Sequence, residues 1–120
     1  MDNLKRILLV DDDAGILEFL STALRNDGSL ESASTAEEAL DRLQRDSYDV
    51  VLTDLVMPGM GGREMVKQLA ESRPGAKVLY LSGYTEDAIV SDGSIESGTA
   101  FLQKPFTLQN LSRKVREVLG

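Results

Sequence analysis

The 120-residue chain carries 20 acidic and 13 basic side chains, a formal net charge of −7, and 42% hydrophobic residues. That length and apolar content predict one globular domain over 1–120, and the negative average disfavours direct nucleic-acid binding because a phosphate backbone repels it. With no cysteine and no histidine, the chain can form no disulfide, thiolate nucleophile, His metal ligand or phosphohistidine of its own.

In chain order, KRILLV at 5–10 is too apolar for a half-exposed strand and predicts one covered on both faces, as a parallel sheet requires. Asp13 is placed to cap a helix over about 14–26, with Ile16, Leu17, Leu20, Ala23 and Leu24 on one stripe. Asn26, Asp27 and Gly28 end it, and a short second strand spans roughly 30–34. Thr35-Ala36-Glu37-Glu38 is a capping box, and Ala36, Ala39, Leu40 and Leu43 form the buried stripe of the helix it starts. DVVLT at 49–53 is the third strand. Pro58, Gly59, Gly61 and Gly62 mark a long turn before a third helix over about 62–72, which stops ahead of Pro74. AKVLYL at 76–81 is the fourth strand. Thr85-Glu86-Asp87 reads as a helix start, but the glycines and serines of SDGSIESG follow, so a short or broken fourth helix is expected. The fifth strand is 100–103, and a final helix over about 107–119 has the stripe Leu108, Leu111, Val115 and Val118. No apolar run reaches the roughly 18 residues that span a bilayer. The N-terminal MDNLKR lacks the apolar segment of a secretory signal, so a soluble, cytoplasmic domain without membrane contact is expected.

Five strand–helix pairs without an internal repeat predict an α/β fold, a five-stranded parallel sheet with helices on both faces in a three-layer sandwich. Right-handed crossovers leave few topologies, and the one taken here is the flavodoxin-like (βα)5 arrangement of order 2-1-3-4-5. Four of the strands end in reactive side chains. ILLV runs into Asp11 and Asp12, VVLT into Asp54, VLYL into Ser82 and AFLQ into Lys104. In such a sheet these tips meet at the carboxyl edge, where ligands bind. Each close carboxylate pair costs about 3–4 kcal/mol at an effective dielectric of ~20, so the cluster calls for raised pKa values or a bound cation. Hard oxygen donors without nitrogen or sulfur favour magnesium or calcium over zinc, and the small ligand set beside a phosphate favours magnesium. A calcium-binding EF-hand loop starting at Asp11 fails, because its twelfth position is Thr22 rather than glutamate. Taken singly, Asp11 and Asp12 also read as loop acids, Ser82 as a turn residue, Lys104 as a solvated lysine and Phe101 as plain core. Their joint placement at matching strand ends favours a site.

The pieces VDD at 10–12, TDLVMPGMGG around Asp54, LSG at 81–83 and KPF at 104–106 give the chain a resemblance over its whole length. It resembles the receiver domain of two-component response regulators. That resemblance implies that Asp54 is the phosphoacceptor, taking its phosphoryl group from a phosphohistidine on a histidine kinase or histidine phosphotransfer domain. It implies that Asp12 binds Mg2+ directly and Asp11 mainly through water, with Asp54 and the Val56 backbone carbonyl completing the protein ligands. Ser82 then contacts one phosphoryl oxygen and Lys104 another, Phe101 takes the aromatic switch position, and the Lys104–Pro105 bond is cis. The only chemistry implied is the domain's own phosphorylation and dephosphorylation, which switch the surface around the fourth and fifth strands for a downstream effector or output domain. Ser82 departs from the threonine of many receivers, Phe101 lacks the hydroxyl of the common tyrosine, and the glycines of 91–98 put the usual output face in doubt. GYTEDAIV, AFLQKPFT and RKVREVL look like the C-terminal receivers of hybrid sensor histidine kinases, so an excised domain and a stand-alone receiver are both open. Two other functions compete. A haloacid-dehalogenase-type phosphatase would use Asp11 and Asp13, but it expects a late acidic pair, and nothing acidic follows Lys104 until Glu117. A pseudo-receiver would use the same fold as a constitutive interaction module.

Overall fold

The computed structural model describes residues 5–54, 62–72, 77–83 and 100–119. Five strands, β1 (Arg6–Val10), β2 (Ser29–Ala33), β3 (Val50–Asp54), β4 (Lys77–Ser82) and β5 (Phe101–Gln103), form one sheet of order β2-β1-β3-β4-β5. All four pairings are parallel. Four helices are described, α1 (Ala14–Leu24), α2 (Ala36–Arg45), α3 (Gly62–Ser72) and α4 (Leu108–Leu119). The short or broken helix expected after Thr85 lies outside the described residues.

The strands are apolar at successive positions because both faces are covered. Leu8, Val10 and Val51 point to the face packed by Ala36, Ala39, Leu43, Met65 and Leu69 of α2 and α3. Ile7, Leu9, Val50, Leu52, Leu79 and Leu81 enter the other layer, with Leu20 and Leu24 of α1 and Leu111 and Val115 of α4. Phe19 of α1 and Phe106, just before α4, add a tilted ring pair with centroids 5.8 Å apart. A last apolar group joins Phe101 of β5 to Tyr80, Val66 and Val78.

The helix starts follow the caps. Asp13 accepts hydrogen bonds from the N–H groups of Gly15 and Ile16, and Thr35 accepts from that of Glu38. The capping box closes one residue early, because the Glu38 carboxylate takes the N–H of Ser34 (3.0 Å) and its hydroxyl (3.3 Å). α1 ends two residues before the expected limit. There Asp27 donates its N–H to the Leu24 carbonyl, and its carboxylate accepts from Ser112 Oγ (2.9 Å) and Arg116 Nε (3.1 Å) of α4. The chain then turns back at Gly28, where a Cβ would collide with the Lys5 carbonyl oxygen, and β2 begins at Ser29. One expected core residue is corrected. Leu108 is 49% exposed, because it opens the first turn of α4 and the helix meets the core only from Leu111 onward. Among the described residues, no helix is long and apolar enough to cross a membrane.

Candidate functional site

The order β2-β1-β3-β4-β5 sets β1 beside β3, so their carboxyl ends open into one crevice. Asp11 follows β1 directly, continues its ladder by donating its N–H to the Ala33 carbonyl (3.2 Å), and is 1% exposed. Asp12, next along the chain, is exposed. Asp54 is the last residue of β3, one position further into the strand than expected, and lies opposite Leu81 of β4. Asp11, Asp12 and Asp54 each present an oxygen within 4.8 Å of the others.

Lys104 comes to this cluster from the other side of the sheet. Its backbone N–H donates to the Ser82 carbonyl at 2.6 Å, which docks the end of β5 against the end of β4. From there its ammonium reaches Asp11 Oδ2 at 3.3 Å and Asp54 Oδ1 at 3.4 Å. The peptide bond that follows, Lys104–Pro105, is cis. Ser82 closes β4, is buried, and lies opposite Gln103 in the register. Phe101 is half-buried against Tyr80, and Val56 lies outside the described residues.

Burial dominates the electrostatics. It pushes the Asp11 carboxyl above its ordinary value, against the opposing pull of the Asp13 N–H and Lys104. It also raises Asp54, again opposed by Lys104, with the neighbouring charges of Asp11 and Asp12 adding to the rise. One ammonium faces three carboxylates, so the cluster keeps an excess of negative charge suited to a small dication. Among the described residues the donor set is carboxylate oxygen, which fits a hard ion such as Mg2+ or Ca2+.

Two contacts were not anticipated from the sequence. The Asp13 N–H donates to Asp11 Oδ1 at 2.9 Å, which Asp13's legible role as a cap concealed. Thr53, fully buried in β3, donates its hydroxyl to the Asp54 carbonyl at 3.0 Å. A lone hydroxyl inside the run VVLTD was the available signal for the second.

Residues 7–116 match the family profile of the response regulator receiver domain. This chain belongs to that family. The receiver is 32% identical over 117 residues to the response regulator receiver protein CpdR of Brucella abortus, covering 97% of this chain and 98% of that protein. It is 33% identical over 116 residues to the sensor kinase CckA of the same species, covering 94% of this chain and 12% of the kinase. Among solved structures, the response regulator TrrA of Thermotoga maritima, crystallised in complex with Mg2+-BeF, superimposes with a TM-score of 0.85 at 33% identity. That match covers 96% of the receiver and 99% of TrrA. The five-stranded parallel order and the acidic pocket are thus those of a signalling receiver, a class that works with histidine kinases or phosphotransfer proteins.

Proposed function

We propose that Asp54 accepts a phosphoryl group from a phosphohistidine on a partner histidine kinase or histidine phosphotransfer domain, with Mg2+ held by Asp11, Asp12 and Asp54. The observation that carries this reading is the approach of three carboxylates within 4.8 Å, with the Lys104 ammonium on two of them. The Mg2+-BeF complex of TrrA supports it by family analogy. When bound, Mg2+ neutralises charge on the transferring phosphoryl oxygens. Asp54 contributes the nucleophile. One carboxylate oxygen bonds to phosphorus as the P–N bond to the donor imidazole breaks, and the departing nitrogen keeps the electron pair and takes a proton. Lys104 balances a second oxygen of the group and Ser82 donates to a third, so positioning and charge supply the catalysis without a general base.

Val56 adds its carbonyl to the metal ligands, and the whole span 1–120 acts as one receiver, excised from a hybrid kinase or stand-alone. Phosphorylation places roughly two new negative charges beside Asp54. Lys104 leaves Asp11 to meet them, Ser82 follows, and Phe101 repacks inward from its half-buried position beside Tyr80. The surface along β4 and β5 then shifts between two pre-existing states.

Incubation with acetyl phosphate and Mg2+, read by intact mass, tests the reading. One phosphoryl group per chain is expected, absent without Mg2+ and absent in Asp54→Asn. An unlabelled wild-type chain would favour the pseudo-receiver, and continuous release of phosphate from an unrelated ester would favour the phosphatase.

A further inference from the structure

Asp13 takes no part in the transfer described above, yet its polar groups are engaged on two sides. Its carboxylate Oδ1 accepts from the N–H of Gly15 at 2.8 Å and of Ile16 at 3.3 Å. Its carbonyl accepts the first intrahelical bond of α1, from Leu17 at 3.1 Å. These bonds hold its backbone extended, at φ −98 and ψ 113. Gly15 leaves the room, since a Cβ there would stand 3.2 Å from Asp13 Oδ1. In that conformation the Asp13 N–H points back at Asp11 Oδ1, 2.9 Å away, while Asp11 Oδ2 faces Lys104 at 3.3 Å. The two oxygens of the buried carboxylate therefore have separate assignments, one to the backbone and one to the pocket.

We propose that Asp13 is a positioning residue: by capping α1 it locks the N–H that aims Asp11 into the acidic pocket. This rests on the reading of that pocket as a Mg2+ site. The reasoning is that of any outer-layer partner of a metal-binding side chain, whose removal typically weakens metal affinity about 10–100-fold. Freed from the cap, residue 13 samples other backbone conformations, and Asp11 has to be ordered at the moment of binding.

The test compares wild type with Asp13→Ala, Asp13→Asn and Asp13→Ser, following amide resonances through a titration with MgCl2 and recording thermal unfolding in EDTA. Asparagine and serine are good N-caps, whereas alanine is not. Asparagine also removes the same negative charge as alanine, so it separates capping from simple attraction for the cation. Mg2+ binding about tenfold weaker in Asp13→Ala, with Asp13→Asn and Asp13→Ser within about threefold of wild type, is expected. The temperature coefficient of the residue-13 amide should also show its hydrogen bond lost in the alanine variant alone. Equal weakening in all three variants would assign the effect to charge and overturn the proposal. A lower unfolding temperature with unchanged Mg2+ affinity in Asp13→Ala would reduce Asp13 to a structural cap and overturn it as well. A wild-type chain that binds no Mg2+ fails in the reference arm, which identifies the metal reading as the error and removes this inference with it.

Discussion

At the scale of single residues, the site is a set of charges held where water cannot fully solvate them. Burial raises the pKa of both Asp11 and Asp54. A carboxyl whose folded pKa is raised favours folding while it is protonated, and that contribution is lost as pH climbs from the unfolded value, near 4, through the folded one. At neutral pH and without metal the domain therefore bears the cost of an ionised cluster. Removing one charge should relieve it. In EDTA at pH 7, Asp54→Asn is expected to be about 1 kcal/mol more stable than wild type, the relief of carboxylate repulsion being offset in part by the lost pairing with Lys104. Adding Mg2+ should narrow or reverse the gap, because the ion stabilises the folded state that binds it. Thermal unfolding with and without Mg2+ measures both, and a metal-free Asp54→Asn less stable than wild type contradicts the assignment. Much of this cluster was legible in the sequence, because Asp11 with Asp12, Asp54 and Lys104 stand at the ends of largely apolar strand segments. Thr53 and the backbone of Asp13 were not, because their contributions are single hydrogen bonds that leave no periodic trace.

At the scale of elements, caps and burial stripes located the helices, while strand and helix limits moved by one or two residues where tertiary contacts decided. β2 is the clearest case of a weak pattern. Only Ala33 of SLESA is buried, and the strand is held on one side by pairing with β1. Its Glu31 does more than the sequence suggested. It accepts from Tyr48 Oη at 2.6 Å, Arg6 at 2.8 Å and Arg42 at 3.2 Å, tying β1, β2, α2 and the segment before β3 together at the β2 edge of the sheet. The Arg6 guanidinium also stands 4.8 Å from the centre of the Tyr48 ring. Burial first, and then the hydrogen bond to Glu31, push the Tyr48 hydroxyl up to about 12. That raised value contributes stability below the unfolded pKa of about 10, and the contribution is lost as pH rises through the folded one. Tyr48 should therefore ionise well above the ordinary tyrosine value of about 10 in an ultraviolet absorbance titration, its step identified by its loss in Tyr48→Phe. Tyr48→Phe should lose about 1 kcal/mol of stability at neutral pH, the usual size of a side-chain hydrogen bond. Ionisation of Tyr48 at the ordinary tyrosine pKa would show that the bond to Glu31 is not held in solution.

At the scale of the whole molecule, the strand order turns distance in sequence into proximity at one edge. Lys104 stands 93 residues from Asp11 and 50 from Asp54, yet it pairs with both. The alternation of strands and helices announced a parallel sheet and left few orders; the structure has the order 2-1-3-4-5, and the shared edge follows from it. What the sequence did not reveal is the unphosphorylated pairing of Lys104, since a lysine after a strand looks the same whether it awaits a phosphoryl oxygen or already holds two carboxylates. That pairing gives Lys104 two partners to exchange, and it links the crevice to β5, where Phe101 lies. Lys104→Ala should keep part of the phosphorylation but lose its effect on resonances around Phe101 and Tyr80. Full phosphorylation-dependent shifts there in the variant would remove Lys104 from the switch.

The most direct test of the account is to locate the acyl phosphate chemically. Borohydride reduction of the Mg2+-dependent, acetyl phosphate-treated chain converts a phosphorylated aspartate to homoserine, which peptide mass spectrometry can place. Homoserine at position 54 and at no other acidic residue is the predicted result. Homoserine at Asp11, Asp12 or any other acid, or none in a chain that has taken up phosphate, would contradict it.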